Sequence, residues 1–180
     1  MAQKVADFTF ADEWPLVADP ADVWDVVRNV GGWPLWSPSA RRVTTISWDP
    51  NTGGDTGWRF EFRTRLPYLM IFEAHLAQED RLHSVDCWIT GRVKGRGRWA
   101  IQPLPGGSVV RFDWEISPQL LWMRAMSPLG RPVFYWNHRA LMLEGGQSLA
   151  RRLGVRLLNP PVSTPTCIKQ VPATPVRSGV

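Results

Sequence analysis

Residues Val93–Leu104 read VKGRGRWAIQPL. Lys94, Arg96 and Arg98 alternate with two glycines and a tryptophan. Two readings compete. One is a basic arm that grips phosphates while Trp99 stacks on a base; the other is a strand with its cations in water. Strand side chains point alternately to opposite faces. Here that puts Gly95, Gly97, Trp99 and Ile101 on one side and Lys94, Arg96 and Arg98 on the other.

The flanking segments favour the strand. In LHSVDCWITGR (82–92), Val85, Cys87 and Ile89 alternate with Ser84, Asp86 and Trp88. In SVVRFDWEIS (108–117), Val110, Phe112, Trp114 and Ile116 oppose Arg111, Asp113 and Glu115. Asp86, Asp113 and Glu115 are thus available as cross-strand partners for the cations. The glycines fall on the inner side, where the loss of a side chain lets a strand bend or another backbone approach.

The same alternation runs upstream. WRFEFRTR (58–65) places Trp58, Phe60 and Phe62 opposite Arg59, Glu61 and Arg63, the pattern of a half-buried antiparallel strand. RRVTTISWD (41–49), the turn PNTGGDTG (50–57) and YLMIFEAHLAQ (68–78) complete a run of six strands from Arg41. Before them come the strand DFTFADEWPLV (7–17) and a short helix in DPADVWDVVRNV (19–30). Asp19 is its N-cap and Pro20 its first residue. Gly31 and Gly32 stop it, and WPLWSPSA (33–40) makes one more helical turn.

A long helix is predicted from about Ser127–Pro128 to Leu153, capped by Gly154. One stripe carries Phe134, His138, Leu141, Gly145 and Leu149; a second carries Trp136, Ala140, Leu143 and Ala150. Together they predict a largely buried helix. Gly145 and Gly146 inside it point to close packing on the sheet or to space for a ligand. The proline-rich remainder, residues 155–180, is expected to be a disordered basic tail following a single domain of residues 1–154.

Charge supports this division. The chain has 180 residues and a formal charge of +5, yet residues 1–150 hold 16 basic and 16 acidic side chains. The surplus is Arg151, Arg152, Arg156, Lys169 and Arg177. A neutral body argues against nucleic acid as the partner, because such affinity comes from clustered cations. The start, MAQKVADFTFADEW, has no apolar signal region. No apolar run approaches the roughly 18 residues of a membrane helix. A cytoplasmic protein without membrane insertion is expected, its two cysteines reduced. Arg outnumbers Lys 18 to 3, which suggests a GC-rich bacterial source.

The order strand, helix, helical turn, six strands, long helix resembles the helix-grip fold of the START-like or SRPBCC superfamily, the polyketide cyclase/dehydrase family. The resemblance rests on DPADVWDVVRNVGGWPLWSPSA (19–40), VKGRGRWAIQP (93–103) and NHRALMLEGGQSLARRL (137–153). It implies an α+β fold, a seven-stranded antiparallel sheet curved around the C-terminal helix with an apolar cavity between. Members bind lipids, sterols, polyketides, plant hormones or quinones, and some cyclise or aromatise polyketides.

The expected cavity wall is Trp58, Phe60, Phe62, Met70, Phe72, Val85, Cys87, Trp99, Phe112 and Trp114, with Leu141 on the helix and Trp33 and Trp36 near the mouth. His138 and Asn137 are the candidate catalytic residues, able to bond a ligand carbonyl or move a proton; Arg65, Glu73 and His75 are weaker candidates. No arginine falls clearly on the inner face, which weakens a cyclase reading. His75, His83 and His138 are the only histidines and have no metal-site spacing, and no nucleophile elbow or phosphate loop occurs. No metal or cofactor is therefore expected. The leading expectation is a carrier of a hydrophobic small molecule such as a lipid, isoprenoid or polyketide. The alternative is a cyclase or dehydratase working through His138 and Asn137, and a third is a partner-binding module that uses the tail.

Overall fold

The computed structural model describes residues 8–51, 53–119, 127–158 and 162–165. Strand β1 (Phe8–Leu16) leads into helix α1 (Pro20–Arg28) and a 3₁₀ turn, Val30–Leu35. Six strands follow: β2 (Ala40–Trp48), β3 (Asp55–Arg63), β4 (Leu69–Asp80), β5 (Ser84–Gly91), β6 (Val93–Leu104) and β7 (Gly107–Pro118). Helix α2 (Ser127–Leu153) and a short strand β8 (Val162–Pro165) close the chain. The sheet runs β2-β3-β4-β5-β6-β7-β1-β8, antiparallel throughout. The seven-stranded helix-grip arrangement is therefore present, lengthened by β8.

Local chemistry sets the helix ends. The Asp19 carboxylate accepts a hydrogen bond from the Ala21 backbone N–H at 2.8 Å, a cap worth about 1 kcal/mol. Val23, Trp24 and Val27 of α1 are buried. At the end of α2, Gly154 N–H donates to Arg151 O (3.2 Å) and Val155 N–H to Ala150 O (3.0 Å). Gly154 has a φ of +68°, so this is a Schellman cap.

Strand β6 resolves its ambiguous sequence. Gly97, Trp99 and Ile101 are buried, while Lys94, Arg96 and Arg98 are exposed. Arg98 Nη1 lies 3.8 Å from Asp86 and its Nη2 donates to Ser84 Oγ at 3.2 Å. The Arg96 guanidinium sits 4.8 Å over the Trp88 ring. Asp113 is held instead by Arg111 of its own strand, at 2.9 Å. The glycines answer to close approach. A Cβ at Gly95 would stand 1.8 Å from the Glu115 carbonyl oxygen, and one at Gly97 would stand 3.3 Å from the Trp114 ring.

Two expectations need correction. Helix α2 is gripped on one side only. Leu149 and Ala150 are buried, but Trp136 is 56% exposed and Leu143 36%. The sheet covers one flank of the helix, and among the described residues nothing covers the other. The domain also does not end at residue 154. Val17 N–H donates to Arg156 O (3.2 Å) and Leu158 N–H to Pro15 O (2.9 Å), and β8 pairs with β1 from Phe10↔Pro165 to Glu13↔Val162. The physical reason is the free edge of β1, whose unpaired N–H and C=O groups attract another strand. Residues 166–180, with Cys167, lie outside the described residues.

Candidate functional site: an apolar cavity and a buried Asp–His pair

Strand β1 turns Phe8, Phe10, Asp12, Trp14 and Leu16 inward, and all five are buried. Helix α2 crosses above them. Between sheet and helix lies a cavity of about 180 Å³. Its wall is mainly aromatic and includes most of the expected residues: Trp33, Trp36, Phe62, Met70, Phe72, Phe112, Trp114 and Leu141, together with Asn137 and His138.

The other expected wall residues lie elsewhere. Trp58, Phe60, Val85, Cys87 and Trp99 border a second void of about 70 Å³. Helix α1 packs over that end of the sheet, with Trp24 and Trp99 rings 5.1 Å apart. Arg28 of the same helix lies 5.3 Å over the Trp58 ring and donates to Glu79 Oε2 at 2.9 Å. An arginine therefore does border the smaller void, held by a carboxylate. Burial pushes the Cys87 thiol up to about 11, which keeps it protonated and unreactive.

The sequence reading passed over Asp12, the most telling polar residue. Asp12 is fully buried, and its Oδ2 lies 2.6 Å from Nε2 of His138. That distance belongs to a strong, charge-assisted hydrogen bond. The His138 ring also stacks on Phe10, with centroids 3.8 Å apart and planes 19° from parallel. The signal was present in FTFADEWPL: Asp12 falls in phase with Phe8, Phe10, Trp14 and Leu16. Phe8, Phe10, Trp14, Tyr68, Ile116, Phe134 and Met142 also line the cavity unanticipated.

Asn137, on the cavity wall, also holds the backbone. Its Oδ1 accepts the Arg65 backbone N–H at 2.9 Å. The Ser39 hydroxyl donates to Glu144 Oε1 at 2.5 Å, and Arg65 Nη2 lies 3.9 Å from Glu144 Oε2. These contacts fasten α2 to the chain on either side of β2 and β3. Burial raises the Tyr68 phenol above its ordinary value, so it stays neutral. Glu73 and His75, 3.8 Å apart, lie on the outer face with Arg59. No metal-binding cluster of His, Cys, Asp or Glu occurs among the described residues. No described helix is long and apolar enough to cross a membrane.

A family model described as polyketide cyclase / dehydrase and lipid transport matches residues 7–153. The chain belongs to this family. None of the curated proteins compared with it matches. Solved structures share its fold at low identity. A START superfamily protein from Mycobacterium smegmatis superposes with a TM-score of 0.62 at 13% identity, over 82% of this chain and 97% of its own. The Zhui aromatase/cyclase from a Streptomyces species gives 0.65 at 11% identity, over 81% and 93%. Such identities establish a common helix-grip fold, and a fold hosts many functions.

Proposed function

We propose that this protein binds a hydrophobic small molecule in the cavity between the sheet and α2, for carriage or presentation in the cytoplasm. The observation that carries the reading is the 180 Å³ void walled by aromatic rings beside His138. Small-molecule sites are typically concave and apolar, with a few convergent polar groups. A lipid, isoprenoid or polyketide fragment has the matching chemistry.

Native mass spectrometry of the gently purified protein tests it. A co-purified apolar molecule, or uptake from a panel of short acyl chains and polyketide mimics, is expected. Leu141→Trp, which fills the void from the helix side, should abolish uptake while the protein stays folded. Absence of uptake across the panel by the wild type would sink the reading.

The buried Asp12–His138 pair supports a second reading, a cyclase or dehydratase in which His138 moves protons. It fits the family, and one structural neighbour is an aromatase/cyclase. His138→Ala should then abolish turnover of a poly-β-ketone mimic with little change in its affinity. Equal loss of both points to binding alone. Asn137 enters this reading as the residue that positions α2 through Arg65.

A further inference from the structure

A fully buried carboxylate is expensive. Even with a partner it costs several kcal/mol of desolvation, and an apolar residue at this position of β1 would match Phe10 and Trp14 on either side. Asp12 nevertheless lies under α2 at 0% exposure, bonded to a histidine on the cavity wall. Such placement of polar groups in an apolar cleft is a mark of a functional site.

The bond also limits what a neutral His138 can offer. At 2.6 Å the proton lies between Nε2 and Asp12 Oδ2. A neutral imidazole with Nε2 protonated presents a lone pair at Nδ1. Nδ1 has no protein partner among the described residues. Of the other polar side chains on the wall, Ser39 bonds to Glu144, Thr64 to the carbonyls of Leu66 and Tyr68, and Asn137 through Oδ1 to the Arg65 backbone. Cavity size sets the second limit. A cavity of about 150 Å³ accommodates benzene, so 180 Å³ suits one or two rings and not an extended lipid.

From these two limits we infer that the Asp12–His138 pair is a specificity element, selecting a small apolar body of one or two rings that carries a hydroxyl donor, a phenol or an enol. The ligand hydroxyl donates to Nδ1 while its rings pack among Phe10, Phe112 and Trp114. Asp12 acts through His138, fixing which nitrogen carries the proton. The inference rests on the cavity-binding reading above and names the ligand class for it.

The test uses the full chain and two probes, 4-nitrophenol and 4-nitroanisole, which differ by methylation of the hydroxyl. Wild type should bind the phenol about tenfold more tightly, the scale of one hydrogen bond, and the absorption band of the bound phenol should move toward that of the phenolate. Asp12→Asn, of the same shape, should lower the preference. Asp12→Leu combined with His138→Phe removes the pair without leaving a lone buried charge, and should bring the affinity ratio to about one and abolish the band shift. A pair serving only to fasten the helix would alter stability but neither the ratio nor the spectrum. Equal binding of both probes by wild type, or a preference that survives the double substitution, overturns the inference and leaves the cavity reading standing. Binding of neither probe also overturns the inference, and the cavity reading is then decided by the acyl-chain and polyketide panel.

Discussion

The indole of Trp14 spans two consecutive glycines of α2. A Cβ at Gly145 would stand 2.9 Å from its Cη2 and Cζ2, and one at Gly146 would stand 3.0 Å from its Cδ1. The glycines weaken the helix locally and let β1 press a large ring against its backbone. Among the described residues the buried Trp14 N–H has no hydrogen-bond partner.

This contact predicts a reversal of helix propensity. In an exposed helix, Gly→Ala stabilises by about 1 kcal/mol. Here Gly145→Ala and Gly146→Ala should each destabilise by about 1–3 kcal/mol, the usual cost of overpacking, seen as a lower urea midpoint. Trp14→Phe removes the outer ring atoms that crowd position 145, so that alanine at 145 becomes neutral or favourable in that background. A stabilised single variant would refute the packing account.

The surface of β6 carries a second prediction. Lys94, Arg96 and Arg98 are solvated, and exposed ion pairs contribute about 0–1 kcal/mol. Replacing all three with Ser should leave ligand uptake unchanged and shift stability by no more than about 1–2 kcal/mol. Filter binding should show equally weak, salt-sensitive retention of nucleic acid before and after. Specific binding of DNA or RNA by the wild type, lost in the variant, would restore the rejected reading of VKGRGRWAIQPL.

How far the sequence spoke can be seen residue by residue. Element order was legible because punctuation is strong: Asp19–Pro20, Gly31–Gly32 and Gly154 each mark a boundary that backbone sterics enforce. Which face a residue takes was legible from periods of two and 3.6, and this brought His138 and Leu141 to the cavity. Depth along a strand was not. Alternation places Phe60 and Phe62 on one face alike, yet Phe62 reaches both voids and Phe60 only the smaller one. Asp12 escaped notice because a charge on an inward position reads as a surface residue until its partner, 126 positions away, is known. The pairing of β8 depends on the edge it meets, which its own composition does not encode.

Cys87 supplies a prediction in pH. Burial raises its thiol from 9.0 to about 11, with Asp86 and Glu79 adding to the rise and Arg28 opposing it. The unfolded chain therefore loses this proton before the folded one does. The associated stability is complete below pH 9.0, falls as pH rises, and is gone by about 11. Wild type should lose more stability than Cys87→Ser across that window, by at most about 2–3 kcal/mol. Iodoacetamide at pH 8 should modify Cys87 about a hundredfold more slowly in the native protein than in urea, as read by peptide mass mapping. Equal rates would show the thiol to be open to solvent.

The wall between the two voids can be moved. Phe72 and Trp114 border both, with centroids 5.9 Å apart and planes at 86°. Trp33, Phe62 and Phe112 also border both, so the partition is aromatic throughout. Phe72→Ala should merge them, at a cost of about 3–5 kcal/mol for the lost ring, and admit molecules that the wild type excludes. Native mass spectrometry with 2-naphthol and with a longer acyl chain separates the cases. Wild type should take only the naphthol, and the variant should take both. A folded variant that still rejects the longer chain would mean that the enclosing α2, through its Asn137 and Glu144 ties, sets the size limit in place of the aromatic partition.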